Sequence, residues 1–114
     1  EAIAYNKNDR HILIVENNGA IANMQDDAMV EVVCELGING PRPMRVGNIP
    51  QFNLGLLVNQ VSCEKLIVDA YFENSYQKAL EAFTLNRLIN DAKKARKVLD
   101  ALIEANKGMW PELR

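Results

Sequence analysis

The sequence predicts an α+β fold in which short antiparallel strands, including a hairpin, are followed by three helices. Three observations indicate this class. Residues 28–36 alternate between apolar and polar side chains, residues 37–43 are rich in Gly, Asn and Pro, and the second half of the chain reads as successive helical segments. At 114 residues the chain has the usual size of one domain.

The first residues predict the end of a helix. The chain opens at Glu1 without Met, and Ala2, Ile3 and Tyr5 form the apolar side of what reads as a last helical turn. Since the start of a helix needs caps for its backbone donors, we expect this helix to begin upstream. Residues 1–114 are therefore expected to be a single fragment of a larger protein.

Two strands are expected next. Residues 11–15, HILIV, have the length and the β-branched content of a buried strand. Residues 28–36 predict a second strand that places Val30, Val32 and Cys34 on one face. The Gly/Pro-rich segment 37–43 then predicts a turn, and residues 44–46 are expected to pair back as a short third strand.

The second half predicts three helices. Residues 52–72 are apolar around more than one face, which indicates a helix buried on two sides or covered by a partner. Asn74, with Gln77 three residues later, predicts an N-cap for the second helix. Asn90 or Asp91 is expected to cap the third, whose apolar stripe is Ala95, Val98, Leu99, Leu102 and Ile103.

Composition excludes several classes of function. The net charge of −2 does not favour a nucleic-acid partner, because binding to phosphates needs a basic excess. No apolar run has the length of a membrane span, and no signal peptide is recognisable. The two cysteines, Cys34 and Cys63, are expected to be buried reduced thiols in a cytoplasmic protein.

Self-contained catalytic motifs are not found. The single histidine, His11, and Cys34 are expected on neighbouring strands, but two groups do not complete a metal site. There is no GxGxxG or GxxxxGK segment for a dinucleotide or a phosphate, and no GxSxG nucleophile. We therefore expect no catalytic, cofactor-binding or metal-binding residue within the chain.

The asparagine-rich segment after the first strand is the remaining candidate site. Asn17, Asn18 and Asn23 are candidates for lining a pocket that is built elsewhere. The alternative is a purely structural turn, because Asn and Gly suit such a backbone. Asp26 and Asp27 are adjacent and point to opposite sides of an extended chain, so turn capping is the expected role.

Several stretches together resemble one enzyme family. The sequences NNGAIANM, DDAMVEV, GPRPMRVGNIP, VSCEKLIVDA, SYQKALEAFTLN and ALIEANKGMWPEL, in this order, are similar to the C-terminal segment of glycoside hydrolase family 4. IVENNGAIANM, VGNIP and WPEL resemble its 6-phospho-α-glucosidase branch. The resemblance spans nearly the whole chain.

This resemblance implies a cytoplasmic parent enzyme that cleaves 6′-phosphorylated α-disaccharides. Its mechanism would be an oxidation, elimination, addition and reduction that depends on NAD and Mn²⁺. The Rossmann NAD-binding unit and the catalytic residues of the family would lie upstream of Glu1, so the fragment alone is expected to be inactive. The fold would be part of a lactate/malate dehydrogenase-like C-terminal domain, with a homo-oligomer as the expected assembly.

Two alternatives stay open at this point. The chain could be a free-standing α+β interaction or dimerisation domain. It could also be the C-terminal domain of a 2-hydroxy-acid dehydrogenase, which transfers hydride without cleaving a sugar.

Overall fold

The computed structural model describes residues 1–89 and 91–114, which form two compact units, Glu1–Gly55 and Leu56–Arg114. The predicted α+β class is confirmed. Whether residues 1–114 are one fragment of a larger enzyme stays a prediction. The elements in chain order are β1 (Asp9–Glu16), β2 (Met29–Gly37), β3 (Gly40–Pro43), α1 (Gln51–Glu73), α2 (Tyr76–Leu85) and α3 (Ala92–Ala105).

The first unit is built on an antiparallel sheet in the order β1-β2-β3. The face predicted for β2 is confirmed, since Val30, Val32 and Cys34 are all buried. Leu13 and Val15 of β1 lie opposite Val32 and Val30 and are half-buried on the same face. The period-2 alternation therefore identified which side of the sheet packs.

The prediction that β1 is buried is wrong. None of its eight residues is buried, and Ile12 and Ile14 are 66% and 68% exposed. The strand lies at the edge of the sheet, with β2 as its one neighbour. A run of aliphatic residues indicates a strand, but it does not show what covers that strand.

The third strand lies earlier than predicted. It is Gly40–Pro43 rather than residues 44–46, and a two-residue loop separates it from β2. Its two prolines are tolerated because an edge strand needs fewer ladder donors than a central one. Gly40 begins the strand with φ of 89°, a conformation that suits glycine.

The first residues form one turn. The Tyr5 amide donates to the Glu1 carbonyl at 2.9 Å, as in a helix, but no longer helix is formed by the described residues. Of the three residues predicted to form an apolar side, Ala2 is buried, whereas Ile3 and Tyr5 are exposed.

The predicted helix over residues 52–72 is confirmed as α1, which begins directly after Pro50 and is one residue longer at each end. The Pro50 carbonyl accepts the first helical hydrogen bond, from the Leu54 amide at 3.0 Å. Proline fits this position because the first amides of a helix have no internal acceptor. Several large side chains of α1 are exposed, Phe72 by 77%. No helix in the described part of the chain is both long and apolar enough to cross a membrane.

The predicted cap of α2 is wrong by one residue. Asn74 instead ends α1 with φ of 55°, and the Ser75 amide donates back to the Ala70 carbonyl at 2.9 Å. Ser75 is the N-cap, and its hydroxyl accepts from the Lys78 amide at 3.3 Å. Asparagine adopts the left-handed conformation more readily than most residues, so it suits the helix end.

The core of the second unit lies between the helices. Ala70, Ala79 and Leu99 are buried together, and side chains from α2, α3 and the C-terminal tail pack around them. The Asp91 carboxylate caps α3 by accepting from the Lys94 amide at 2.7 Å. The alternative cap, Asn90, lies outside the described residues. Leu102, from the predicted apolar stripe, is exposed, whereas Ala95 is buried.

Candidate functional site

The asparagine-rich segment, residues 17–27, joins β1 to β2 and is tied together by backbone hydrogen bonds. The Asn17 amide donates to the Ala28 carbonyl at 2.8 Å, and the Asn18 amide donates to the Asp26 carbonyl at 2.9 Å. These bonds continue the pairing of the two strands beyond Glu16 and Met29. The segment is therefore a folded continuation of the sheet.

Asn18 and Gly19 form a tight turn at the start of this segment. Both have positive φ, 40° and 79°, and the Ala20 amide donates to the Asn17 carbonyl at 2.7 Å. Asn-Gly is the sequence that favours a turn with two positive φ values. The Asn18 side chain is exposed and donates to the Glu16 carboxylate at 3.1 Å.

Asn17 is fully buried and holds the segment from inside. Its Nδ2 donates to the carbonyls of Ile21, Met24 and Gln25 at 3.0, 3.2 and 3.0 Å. Its Oδ1 accepts from the Ile21 amide at 2.7 Å. Because the exposed fraction of Asn17 is 0%, these bonds satisfy its own amide group in place of water.

Asn23 connects the segment to the chain that precedes α1. Its Nδ2 donates to the Ile49 carbonyl and its Oδ1 accepts from the Ile49 amide, both at 3.0 Å. Nearby, the Ala22 amide donates to the Gly47 carbonyl at 2.9 Å. The two segments thus form a parallel pairing, which includes a bridge between Ile21 and Gly47.

The three candidate asparagines therefore differ in what they offer to a ligand. The side-chain amides of Asn17 and Asn23 are hydrogen-bonded to backbone groups. Asn17 is the least suited to face a pocket because it is fully buried. Asn18 alone among the three is exposed. The sequence did not predict that Asn23 bonds to Ile49, because the two residues are 26 positions apart and no local sequence pattern links them.

Acidic and histidine side chains do not converge here. His11 lies directly opposite Cys34 across the β1–β2 pair, as expected, but His11 is exposed while Cys34 is buried. Asp26 and Asp27 are exposed. Among residues 1–89 and 91–114, no three His, Cys, Asp or Glu side chains are placed to hold a metal ion.

Both cysteines lie in the interior of the fold. Cys34 and Cys63 are both free and buried, as predicted. Burial raises the pKa of the Cys63 thiol, which disfavours the thiolate. Because the thiolate is the nucleophilic form, Cys63 is a poor nucleophile.

A largely apolar groove of about 510 Å³ lies in the second unit, between α1 and the segment that includes α2. Cys63, Ile67 and Val68 line one side, and Phe83, Leu88 and Ile89 line the other. An adjoining cleft of about 350 Å³ shares Ile67 and Val68 and is closed by Met109 and Trp110. The side chains here that can ionise are Cys63 and Glu64 in the groove and Tyr71 in the cleft.

Comparison with protein families gives a match over residues 1–89, to the C-terminal domain of the family 4 glycosyl hydrolases. Maltose-6′-phosphate glucosidase of Bacillus subtilis is 56% identical over 112 residues, which are 98% of this chain and 25% of that protein. A probable 6-phospho-β-glucosidase of the same organism is 37% identical over 111 residues, 97% of this chain and 25% of that protein.

A solved structure is similar in both sequence and fold. It is a 6-phospho-α-glucosidase from gut microorganisms in complex with NAD and Mn²⁺, 83% identical, with a TM-score of 0.96 over 99% of this chain and 26% of that one. The chain thus spans about a quarter of the length of the relatives that it matches.

Proposed function

The chain belongs to the family 4 glycosyl hydrolases, as their C-terminal domain, and on that premise we propose that it is part of a 6-phospho-α-glucosidase. The complete enzyme hydrolyses 6′-phosphorylated α-disaccharides through the NAD-dependent oxidation and reduction that distinguishes this family from two-carboxylate glycosidases. It requires NAD and Mn²⁺ and acts in the cytoplasm, where it takes phosphorylated sugars as substrates.

The observation that carries this proposal is the difference between α- and β-type relatives. Over almost the same residues, identity is 56% to the α-type relative and 37% to the β-type relative from the same organism. This difference supports the α-specific branch.

The residues of this chain do not fit a site for either cofactor. The described residues include no cluster of metal ligands, and the glycines do not form a dinucleotide-binding pattern. We propose that NAD and Mn²⁺ are held by the part of the enzyme that this chain does not span. The chain contributes structure to the enzyme, not its reacting groups.

The asparagine-rich segment is proposed to border the substrate pocket. Asn17 and Asn23 keep its shape through the bonds described above, and the exposed turn at Asn18 is the part that can reach a ligand. Replacing Asn18 with Gly in the complete enzyme preserves the positive φ and removes the amide. We expect KM to rise severalfold with little change in thermal stability, whereas an unchanged KM and kcat would contradict the proposal.

The activity is tested on the complete polypeptide that contains this sequence. A chromogenic 6-phospho-α-glucoside with NAD and Mn²⁺ is expected to be hydrolysed, and omitting either cofactor abolishes the reaction. The β-linked isomer is the matched control and should be a much poorer substrate. The 114-residue chain alone is expected to be inactive.

Two results would overturn the proposal. Preferential cleavage of the β-linked substrate would reject the α-specific branch. Oxidation of a 2-hydroxy acid by NAD, without cleavage of any glycoside, would instead support a dehydrogenase.

A further inference from the structure

The chain contains the same dipeptide in two different turns. Asn18-Gly19 begins the asparagine-rich segment, and Asn39-Gly40 lies where the loop after β2 enters β3. Because glycine has no side chain, its backbone nitrogen can approach the carboxamide carbon of the preceding asparagine without a steric clash. Asn-Gly is therefore a sequence that favours intramolecular deamidation of the asparagine.

Deamidation needs water but no enzyme, cofactor or oxidant. The backbone nitrogen of the glycine loses its proton and bonds to the side-chain carbonyl carbon of the asparagine, and the side-chain nitrogen leaves as ammonia. Water then opens the cyclic succinimide at either carbonyl, which yields aspartate or isoaspartate. The net reaction consumes water, releases ammonium and leaves a carboxylate on the chain.

The reaction also requires local motion of the backbone. The side-chain carbon of the asparagine must meet the next backbone nitrogen, so the peptide between the two residues has to rotate out of its place in the turn. Local opening of this kind costs more where more contacts must be broken. The turn that is held by fewer contacts should therefore react first.

The turn at Asn18 is held from several directions. The Ala20 amide donates across it to the Asn17 carbonyl at 2.7 Å. The Asn18 side chain donates to the Glu16 carboxylate at 3.1 Å, and its backbone has a φ of 40° that must change. The Gly19 amide itself has no acceptor in the described part of the chain, but the peptide that carries it cannot rotate without breaking this turn.

The turn at Asn39 is held by fewer contacts. The Asn39 side chain makes no hydrogen bond to any described residue, and its φ is not positive. Gly40 pairs with Gly37 at the end of the β2–β3 ladder. Because Pro41 and Pro43 have no N–H, only two residues of β3 can donate to β2. The pair that closes this hairpin is therefore the terminal pair of a short ladder, which opens readily.

We propose that Asn39 is a site of spontaneous deamidation in the native protein, whereas the fold protects Asn18. One side-chain bond reaches the loop before Asn39, from the Ile38 amide to Asn6 at 2.9 Å, and it is exposed to solvent. Isoaspartate adds a carbon to the backbone of a two-residue loop, and strand pairing in a hairpin depends on the length of its loop. Modification therefore loosens β3 from β2.

Peptide mapping of the complete polypeptide tests the site. The native protein is incubated at mildly alkaline pH, which favours loss of the glycine amide proton, and is then digested with a glutamyl endopeptidase. The digest separates residues 17–31 from residues 36–64, and tandem mass spectrometry locates the modified asparagine. We expect Asn39 to react at least about fivefold faster than Asn18.

The same polypeptide unfolded in urea is the control. Without the fold, the two Asn-Gly sequences should react within about threefold of each other. The proposal would be overturned by a native Asn18 that reacts as fast as Asn39, or by a native Asn39 that stays unmodified while both react in urea. A fivefold preference that persists in urea would equally reject protection by the fold.

Two substitutions give a second measurement. Asn39→Gln keeps an amide but lengthens the side chain, which disfavours closure of the ring. Isoaspartate recovered from residues 36–64 should fall at least about fivefold in this variant, whereas Asn18→Gly should leave it unchanged. Isoaspartate that persists in Asn39→Gln would reject Asn39 as its source. Neither readout uses glycosidase activity, so both are independent of the proposed function.

Discussion

The asparagine-rich segment of the first unit buries a polar side chain, whereas the groove of the second unit exposes apolar side chains. In the segment, the amide of Asn17 is fully buried and bonded to four backbone groups. At the groove, aliphatic side chains remain in solvent, and Leu88 is 90% exposed.

This difference shows that residue type alone does not identify a functional site. A cluster of polar residues can have a purely structural role when its hydrogen-bond partners are backbone groups. An apolar side chain at the surface contributes little to the stability of the unit that carries it. The stability of each region should therefore follow the partners of its side chains.

The largest expected effect is at Asn17. Asn17→Ala removes four hydrogen bonds, at roughly 1 kcal/mol for each. The Ile21 and Gln25 carbonyls keep backbone donors, the amides of Met24 and Ala28. We expect the free energy of unfolding of the first unit to fall by about 4 kcal/mol, measured by urea denaturation with circular dichroism. If the loss of free energy exceeds the stability of that unit, the unit will be unfolded without urea, which also agrees with this prediction.

Asn18→Gly is the control for this substitution. It removes the neighbouring amide side chain, which is exposed, and keeps a backbone that suits positive φ. Its effect should stay within about 0.5 kcal/mol. Equal effects of the two substitutions would show that burial of the Asn17 amide is not what stabilises the segment.

In the second unit the comparable residue is Leu99, which is 1% exposed in the core with Ala70 and Ala79. Leu99→Ala should cost about 3 kcal/mol through lost burial and a residual cavity. Trp110 is the single tryptophan and lies in this unit, so its fluorescence reports the unfolding. A cost below about 1 kcal/mol would mean that this cluster is not the core of the unit.

A smaller effect is expected from alkaline pH. The hydrogen bond from the Tyr76 hydroxyl to Asp100, at 2.7 Å, raises the pKa of Tyr76 above 10.0. The hydrogen bond to Glu73 likewise raises the pKa of Lys78 above 10.5. Both groups therefore contribute stability that is present below their unfolded pKa values and is lost as the pH rises through the higher folded values.

Thermal melts at neutral and at strongly alkaline pH measure how much these two groups contribute to stability. Tyr76→Phe removes one of the two groups, so the Tm of this variant should fall less between neutral and strongly alkaline pH than the Tm of the parent. A steeper fall in the variant would contradict the assignment.

The smallest expected effect is at Leu88. Because Leu88→Ala removes an aliphatic side chain that is already in water, the free energy of unfolding should change by less than about 0.5 kcal/mol. Tryptophan fluorescence during urea denaturation measures it beside Leu99→Ala. A loss close to that of Leu99→Ala would show that this side chain is covered in solution.

The sequence predicted the elements whose signal is local. The buried face of β2 follows from strict alternation, and the buried positions of α3 follow from apolar residues at helical spacing. The family resemblance rested on motifs spread along the chain, and the match over residues 1–89 confirms it.

The sequence did not correctly predict features in which two residues could fill the same role, or in which the partners are far apart in the chain. Asn74 and Ser75 can both cap a helix, and the need for positive φ at the end of α1 decides between them. The prolines of β3 argue against a strand unless its edge position is known. The bonds between Asn23 and Ile49 join positions that only the fold brings together.

The amide hydrogen exchange of Ile21 tests most directly whether the asparagine-rich segment is a folded structural element. This amide donates to the side chain of Asn17, at 2.7 Å, so its protection reports that buried contact. We predict protection comparable to that of the β2 amides in the same sheet. Exchange at the rate of an unstructured peptide would show that the segment is open, and it would contradict the structural role assigned to Asn17.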